Sequence, residues 1–265
     1  SLSDAKLSAP ALELFSNIAA QPSFPAASLA RIKNQLLAGF EYQKQDPGTL
    51  ASLALFEQLY GTHPYAKPSS GDAQSVPRIT RQQLQNFHRT YYNASNAQIA
   101  LVGDLTLEQA KAISEKVSAR LPRGRAAAMT VAPKASLASK THIEHPSTQT
   151  HILLAQLAVK RGDPDYPALF LGNQILGGGG FGTRLMEEVR EKRGLTYGIY
   201  SSFSPMQASG PFMINVQTRA QLSEVTLELV QDLLRDYIDK GPTAEELAKA
   251  KRESLGSFPL SAASN

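Results

Sequence analysis

Before about residue 92 the apolar positions recur every three or four residues, first at Leu29, Ile32, Leu36 and Phe40 and then among Leu50, Leu53, Leu55 and Leu59. That spacing predicts amphipathic helices, and Pro47 and Gly48 separate them. The Pro- and Gly-punctuated stretch 61–77, opening with His63, Pro64 and Tyr65, reads as an ordered loop. Thr80 followed by Gln83 makes a capping box for a helix to about Arg89. Gln98 to Val102 alternates and β-branches like a strand, Gly103 and Asp104 turn, and Thr106 with Gln109 caps a helix to Leu121. From Pro122 to Ser139 no period is sustained, which is the mark of a linker. Beyond it, Lys140–His145 and Gln149–Leu157 read as paired strands, and Asp163 as the cap of a helix to about Leu176. After Gly177–Gly180, Thr183 opens a charged helix that Gly194 ends in a left-handed turn. Alternating strands at 195–204 and 211–219 lead into a helix near 223–239 and another capped by Thr243 and Glu246. Strands this close in sequence pair antiparallel, so the pattern predicts an α+β fold and not a doubly wound parallel sheet. The expected organisation is a first domain over 1–122, a linker over 123–139 and a second domain over 140–265, with strand, turn and long helix recurring in both halves.

Composition narrows the function classes. The chain has 265 residues, enough for about two domains, and 42% are apolar against 19% charged, the balance of a globular chain. No apolar run approaches the roughly 20 residues of a bilayer crossing. The formal charge of +4 is scattered and forms no basic stripe with interleaved aromatics, which argues against nucleic acid as a partner. With no cysteine, disulfides, iron–sulfur clusters and thiol nucleophiles are excluded. Ser1–Leu7 carry no export-signal pattern, and the end at Ser264 and Asn265 reads as a cut, so a truncated fragment is expected.

Three constellations could carry chemistry. His142, Glu144 and His145 approximate an inverted zinc-peptidase spacing with one residue missing. On a strand His142 and Glu144 would share one face and His145 would point to the other, which favours a polar strand edge. His63, His88 and His151 have no acidic or histidine neighbour at ligand spacing and read as surface or packing residues. The run Gly177–Gly180 with Phe181 and Gly182 lacks the context of a P-loop or a dinucleotide fingerprint, and is either a flexible connection or a loop that admits a substrate backbone. Arg190, at the end of the charged helix, and Tyr197, on the strand after Gly194, could meet across one chain reversal as two donors for a carbonyl or oxyanion.

The stretches Ile175-Leu176-Gly177-Gly178-Gly179-Gly180-Phe181-Gly182-Thr183-Arg184-Leu185 and Val189-Arg190-Glu191-Lys192-Arg193-Gly194-Leu195-Thr196-Tyr197 closely resemble the signature of the C-terminal half of insulinase- and pitrilysin-type zinc peptidases, a family that includes the mitochondrial processing peptidase. His63-Pro64-Tyr65, with Phe87, Tyr91, Tyr92, Asn93 and Val102-Gly103-Asp104, resembles the latter part of that family's first domain. The resemblance implies two homologous α+β domains, each an antiparallel or mixed sheet packed with helices, forming the halves of a clamshell. It implies that Tyr197 donates to a tetrahedral oxyanion, that Arg190 holds the substrate carbonyl or orders the tyrosine, and that Gly178, Gly179, Gly180 and Phe181 border a groove where an extended peptide adds to a sheet edge.

The family's zinc sequence, His, two residues, Glu and His, is absent from these residues, and the position of its third ligand falls on Gly39. Glu41, two residues on, lies about 200° around a helix from it. The resemblance therefore implies a non-catalytic subunit or domain with no metal ligand and no cofactor of its own, whose partners are a zinc-bearing homologous subunit and an extended peptide. Alternatives are a single-chain zinc peptidase whose metal site lies upstream, and a peptide-binding scaffold without catalysis. Exposed sheet edges would pair with something, such as a second copy of the chain. Periplasmic residence is expected by analogy with bacterial relatives.

Overall fold

Local signals act first at helix starts, where orphan N–H groups need acceptors. The structure, a computed structural model, describes residues 5–134 and 137–262. The expectations drawn on Ser1–Leu7, on Ser264 and Asn265, and on positions 135 and 136 of the linker lie wholly or partly outside the described residues.

Among the described residues five α-helices precede the linker: α1 (Ala5–Ala20), α2 (Ala26–Gln43), α3 (Pro47–Tyr60), α4 (Arg81–Tyr91) and α5 (Leu107–Ser118). Asp46 caps α3 by accepting the Thr49 N–H at 3.0 Å, with Pro47 in the first turn where its missing N–H costs nothing. The Thr80 and Thr106 capping boxes are both closed in both directions. The loop after α3 holds two short 3₁₀ turns, Pro64–Ala66 and Val76–Arg78.

The chain clusters into two units, one holding the described residues within Ser1–Gly39 and Asp72–Met129, the other those within Phe40–Gly71 and Thr130–Ser261. These units are not the contiguous sequence halves, because residues 40–71 cluster with the strands and helices C-terminal to the linker. In the first unit the fully buried side chains among the described residues are Ser16, Val76 and Asn93. Its helices are tied instead by side chains to backbone. Arg81 donates to the carbonyls of Ser23 and Phe24 at 3.0 and 2.9 Å, and His88 Nε2 lies 2.7 Å from the carbonyl of Ala19. The strand expected at Gln98–Val102 does not form, and Ile99, Leu101 and Val102 are exposed. Alternation gives a segment a taste for extended backbone, but a strand exists only when a neighbour accepts its N–H groups, and no ladder partner is present among the described residues.

The second unit is built on a three-stranded antiparallel sheet of β1 (Gln149–Leu157), β2 (Thr196–Phe203) and β3 (Pro211–Arg219), in the order β1-β3-β2. The expected pairing of 140–145 with β1 is corrected: β1 pairs with β3, and 140–145 forms no strand. One face of β3 (Phe212, Ile214, Val216 and Thr218) is buried, and Ser201 and Ile199 of β2 stand opposite Ile214 and Val216 on the same side. Helix α7 (Ser223–Lys240) covers that face with Thr226 and Val230, and the segment before β2 adds Leu185, Met186 and Val189. A satellite cluster joins Phe56, Leu59 and Tyr60 of α3 to Ala155 and Leu157 of β1. Burial pushes the Tyr60 phenol up to about 12, and its hydroxyl donates to the Ser209 carbonyl at 3.1 Å.

The helix expected from Asp163 begins at Tyr166, because the Asp163 carboxylate accepts the Asp165 N–H in a local turn and does not cap. It runs as α6 (Tyr166–Asn173) and widens into a π-helical stretch, Gln174–Gly178. Helix α8 (Ala244–Ala262) follows Thr243 as expected. The α+β class read from the pattern is therefore the class observed.

Leu185 is fully buried whereas Leu137 is 92% exposed. Leu185→Ala is expected to lower the stability of the second unit by about 2–5 kcal/mol, and Leu137→Ala to change it by less than about 0.5 kcal/mol. Urea unfolding followed by far-UV circular dichroism checks the contrast, and equal midpoints would refute the core assignment.

Candidate functional site

The glycine run is a close-packed element, not a flexible connection. Asn173, buried at the end of α6, donates from Nδ2 to the Ser201 carbonyl at 3.0 Å and accepts the Ser201 hydroxyl on Oδ1 at 2.6 Å. This pair crosses from α6 to β2 directly under the run. A Cβ on Gly177 would come within 2.6 Å of Ser201 Oγ, and one on Gly178 within 2.3 Å of Asn173 Nδ2. Glycine is required there so that the backbone can lie against a buried hydrogen-bonded pair. Gly180 follows with φ +77° and turns the chain out to Phe181, which is 73% exposed.

After this turn the Thr183 hydroxyl donates to the Gly180 carbonyl, and the chain re-enters helix with a π-helical turn, Met186–Glu191. Gly194 closes it at φ +61°, its N–H donating to Arg190 O at 2.9 Å while Leu195 N–H donates to Val189 O at 3.0 Å. Gly194 is thus the left-handed terminator that its position predicts.

Arg190 and Tyr197 lie on either side of that reversal. The Arg190 guanidinium lies over the Phe181 ring, 4.9 Å from its centroid, and pairs with Glu191. Tyr197 is 90% exposed, and among the described residues its hydroxyl forms no hydrogen bond. The two side chains are therefore not bonded to each other: the arginine is held by Phe181 and Glu191, and the phenol is free to donate. The neighbouring charges act as a solvated network in which Glu188 takes Lys192 and Arg193, each at 2.6 Å, and so lies below the usual carboxylate range.

The sequence reading did not single out Arg184. Its guanidinium makes a fork to Glu246, Nε to Oε1 at 2.6 Å and Nη2 to Oε2 at 2.7 Å, donates also to the Gly241 carbonyl at 3.0 Å, and covers the Tyr237 ring at 4.8 Å. Glu246 meanwhile closes the capping box of α8 by accepting the Thr243 N–H at 2.7 Å. One carboxylate thus binds the end of the glycine loop to the start of α8. The Arg184 hydrogen bonds hold it well below its ordinary 4.5, at about 2. The only sequence signal for this was the Thr243/Glu246 box.

The polar strand edge expected at His142, Glu144 and His145 is corrected, since 140–145 forms no strand. His142 Nε2 is 3.0 Å from Glu144 Oε2 at the surface, while His145 Nδ1 is buried away from them. His63 is engaged with the Tyr65 N–H and the Val131 carbonyl. Glu41 is exposed and paired with Lys44 at 2.7 Å, and a Cβ at Gly39 would meet nothing. Among the described residues no group of three His, Cys, Asp or Glu side chains could hold a metal ion, so the residues present do not fit a zinc site. Among the described helices none is long and apolar enough to cross a membrane.

Residues 78–254 match the family described as peptidase M16 inactive domain. Over 244 residues the chain is 29% identical to a protein named "Non-peptidase homolog YmxG" from Helicobacter pylori, covering 90% of this chain and 55% of that one. It is equally 29% identical, over 235 residues, to "Uncharacterized zinc protease Rv2782c" from Mycobacterium tuberculosis, covering 86% and 53%. The chain thus spans about half the length of the curated relatives it matches. A crystal structure of a peptidase M16 inactive domain from Pseudomonas fluorescens superposes with a TM-score of 0.95 at 63% identity, over 97% of this chain and 62% of that one. Pitrilysin superposes at 0.62 with 18% identity, over 89% and 27%, a likeness of fold alone.

Because the folded-state pKa of Glu246 is depressed, its contribution to stability is fully present above about pH 4.5 and is lost as the pH falls toward about 2. Glu246→Gln is expected to be less stable than the parent at neutral pH and to lose less on acidification across that window. Urea midpoints at intervals from pH 5 to 2.5 check this, and parallel curves would refute the clamp.

Proposed function

Since the chain belongs to the peptidase M16 family as an inactive domain related to zinc protease homologues, we propose that it serves as the non-catalytic half of a peptidase clamshell, presenting Arg190 and Tyr197 to a zinc-bearing homologous partner. The observation that carries this reading is the free hydroxyl of Tyr197, a residue 90% exposed on the strand that follows a packed glycine run. A phenol with no intramolecular acceptor is a donor held ready for an acceptor from outside, and a tetrahedral oxyanion is the acceptor that peptide hydrolysis creates. Arg190, held in place by Phe181 and Glu191, holds the substrate carbonyl beside it. The rim of Gly178, Gly179, Gly180 and Phe181 offers backbone with little side-chain bulk to an extended peptide, and β2 is an edge strand of the sheet.

In this reading zinc and the attacking water belong to the partner, and this chain supplies binding and charge stabilisation. The division of the chain into a first homologous domain over 1–122, a linker over 123–139 and a second domain over 140–265, a periplasmic location, and pairing of exposed edges with a second copy are parts of the same proposal. A single-chain peptidase remains a separate reading, favoured by the zinc-protease names of relatives about twice as long as the matched region.

The complex of this protein with its zinc-bearing homologue is expected to cleave an unstructured peptide, and Tyr197→Phe to lower kcat about 10²- to 10³-fold, the scale of one oxyanion donor, with zinc content unchanged. Peptide turnover and elemental analysis on the separated and combined chains check it. Zinc and cleavage in this protein alone would sink the partner reading, and an unchanged rate with Tyr197→Phe would leave only peptide binding.

A further inference from the structure

Side chains alternate along a strand, so the pairing of β2 with β3 decides which way Tyr197 points. Thr196 pairs with Thr218 and Ile199 with Val216, three steps along β2 against two along β3. Tyr197 and Gly198 together therefore face the single position of Gln217, which is a β-bulge. In unbroken register with Ile199 and Ser201, Tyr197 would fall opposite Thr218, on the face where Ile199, Ser201, Val216 and Thr218 are all buried. The extra residue re-phases the strand: Thr196 takes the core-side position and Tyr197 emerges into solvent.

The bulge breaks the ladder, and Thr196 repairs it. Its Oγ1 lies 2.6 Å from the Gln217 carbonyl and 2.8 Å from the Gly198 carbonyl, so that its proton can serve either, and it accepts the Gly198 N–H at 3.0 Å. One hydroxyl thus ties both ends of the bulge to each other and to β3. From beneath, the Thr218 hydroxyl donates to the Leu195 carbonyl at 2.6 Å, and Thr226 Oγ1 reaches Thr218 Oγ1 at 3.3 Å, so the entry to β2 is fixed on the buried side as well.

We propose that Thr196 is a positioning residue, whose hydroxyl sets the bulge that turns Tyr197 out of the core face and aims its phenol at the substrate. The catalytic half of this inference rests on the proposed role of Tyr197, while the bulge itself does not. Thr196→Val keeps the shape and removes the hydroxyl, whereas Thr196→Ser keeps the hydroxyl.

Two measurements separate the possibilities. In the complex with the zinc-bearing homologue, Thr196→Val is expected to lower kcat on an unstructured peptide about tenfold with KM little changed, Thr196→Ser to restore it, and Thr196→Val to cost nothing further in a Tyr197→Phe background. If Tyr197→Phe loses activity but Thr196→Val does not, the positioning role is overturned and the reading of Tyr197 stands. Should Tyr197→Phe itself have no effect, the reading of Tyr197 fails. The bulge is then judged alone by amide hydrogen exchange at Gly198 in this chain. That amide is expected to exchange about 3- to 10-fold faster in Thr196→Val than in the parent or Thr196→Ser, the worth of one hydrogen bond; equal rates overturn the role of Thr196.

Discussion

The buried face of β3 is the constraint on which the second unit depends. Ile214 and Val216 have no exposure at all, and once they face inward the period of two places every other residue of the strand. Ile199 and Ser201 of β2 must follow, α7 must lay Val230 over them, and the segment with Leu185, Met186 and Val189 must fold back to close the layer. Thr218 and Thr226 lie within this apolar surround, and they are tolerated because their hydroxyls are engaged with the Leu195 carbonyl and with each other. Slipping β2 by one residue against this face would bury its solvent side, which is why a single bulge has so large an effect on Tyr197.

The candidate site is held by polar contacts set at the edges of that core. The Asn173–Ser201 pair fixes the glycine run from below, and the Arg184–Glu246 fork with Tyr237 fixes its far end to α8. Both join segments distant in sequence, and breaking either would leave partly buried polar groups unpaired, which costs more than the bonds contribute when made. The rim lies next to a half-buried arginine and an exposed phenol. The first unit is organised differently, with few buried side chains among the described residues and its helices tied by Arg81 and His88 to backbone carbonyls.

The sequence by itself determined what is local. The apolar spacing at Leu29–Phe40, the boxes Thr80/Gln83 and Thr106/Gln109, the left-handed Gly194 and the alternation of β2 and β3 each rest on neighbours within a few residues, and each is found where it was expected. Family membership was legible for a related reason, because the glycine run and the Arg190–Tyr197 spacing form one continuous motif. The tertiary structure decided what depends on distant partners. Gln98–Val102 and Lys140–His145 alternate like strands yet form none, since ladder hydrogen bonds come from elsewhere in the chain. Residues 40–71 cluster with the second unit because α3 finds its apolar partner on β1. The sequence left the glycine run open between a flexible connection and a loop that admits a substrate backbone, its close packing depends on Asn173 and Ser201 beneath it, and nothing in the order Leu-Thr-Tyr-Gly announces a bulge. A bulge is a mismatch of counts between two strands, and it exists only once they are paired.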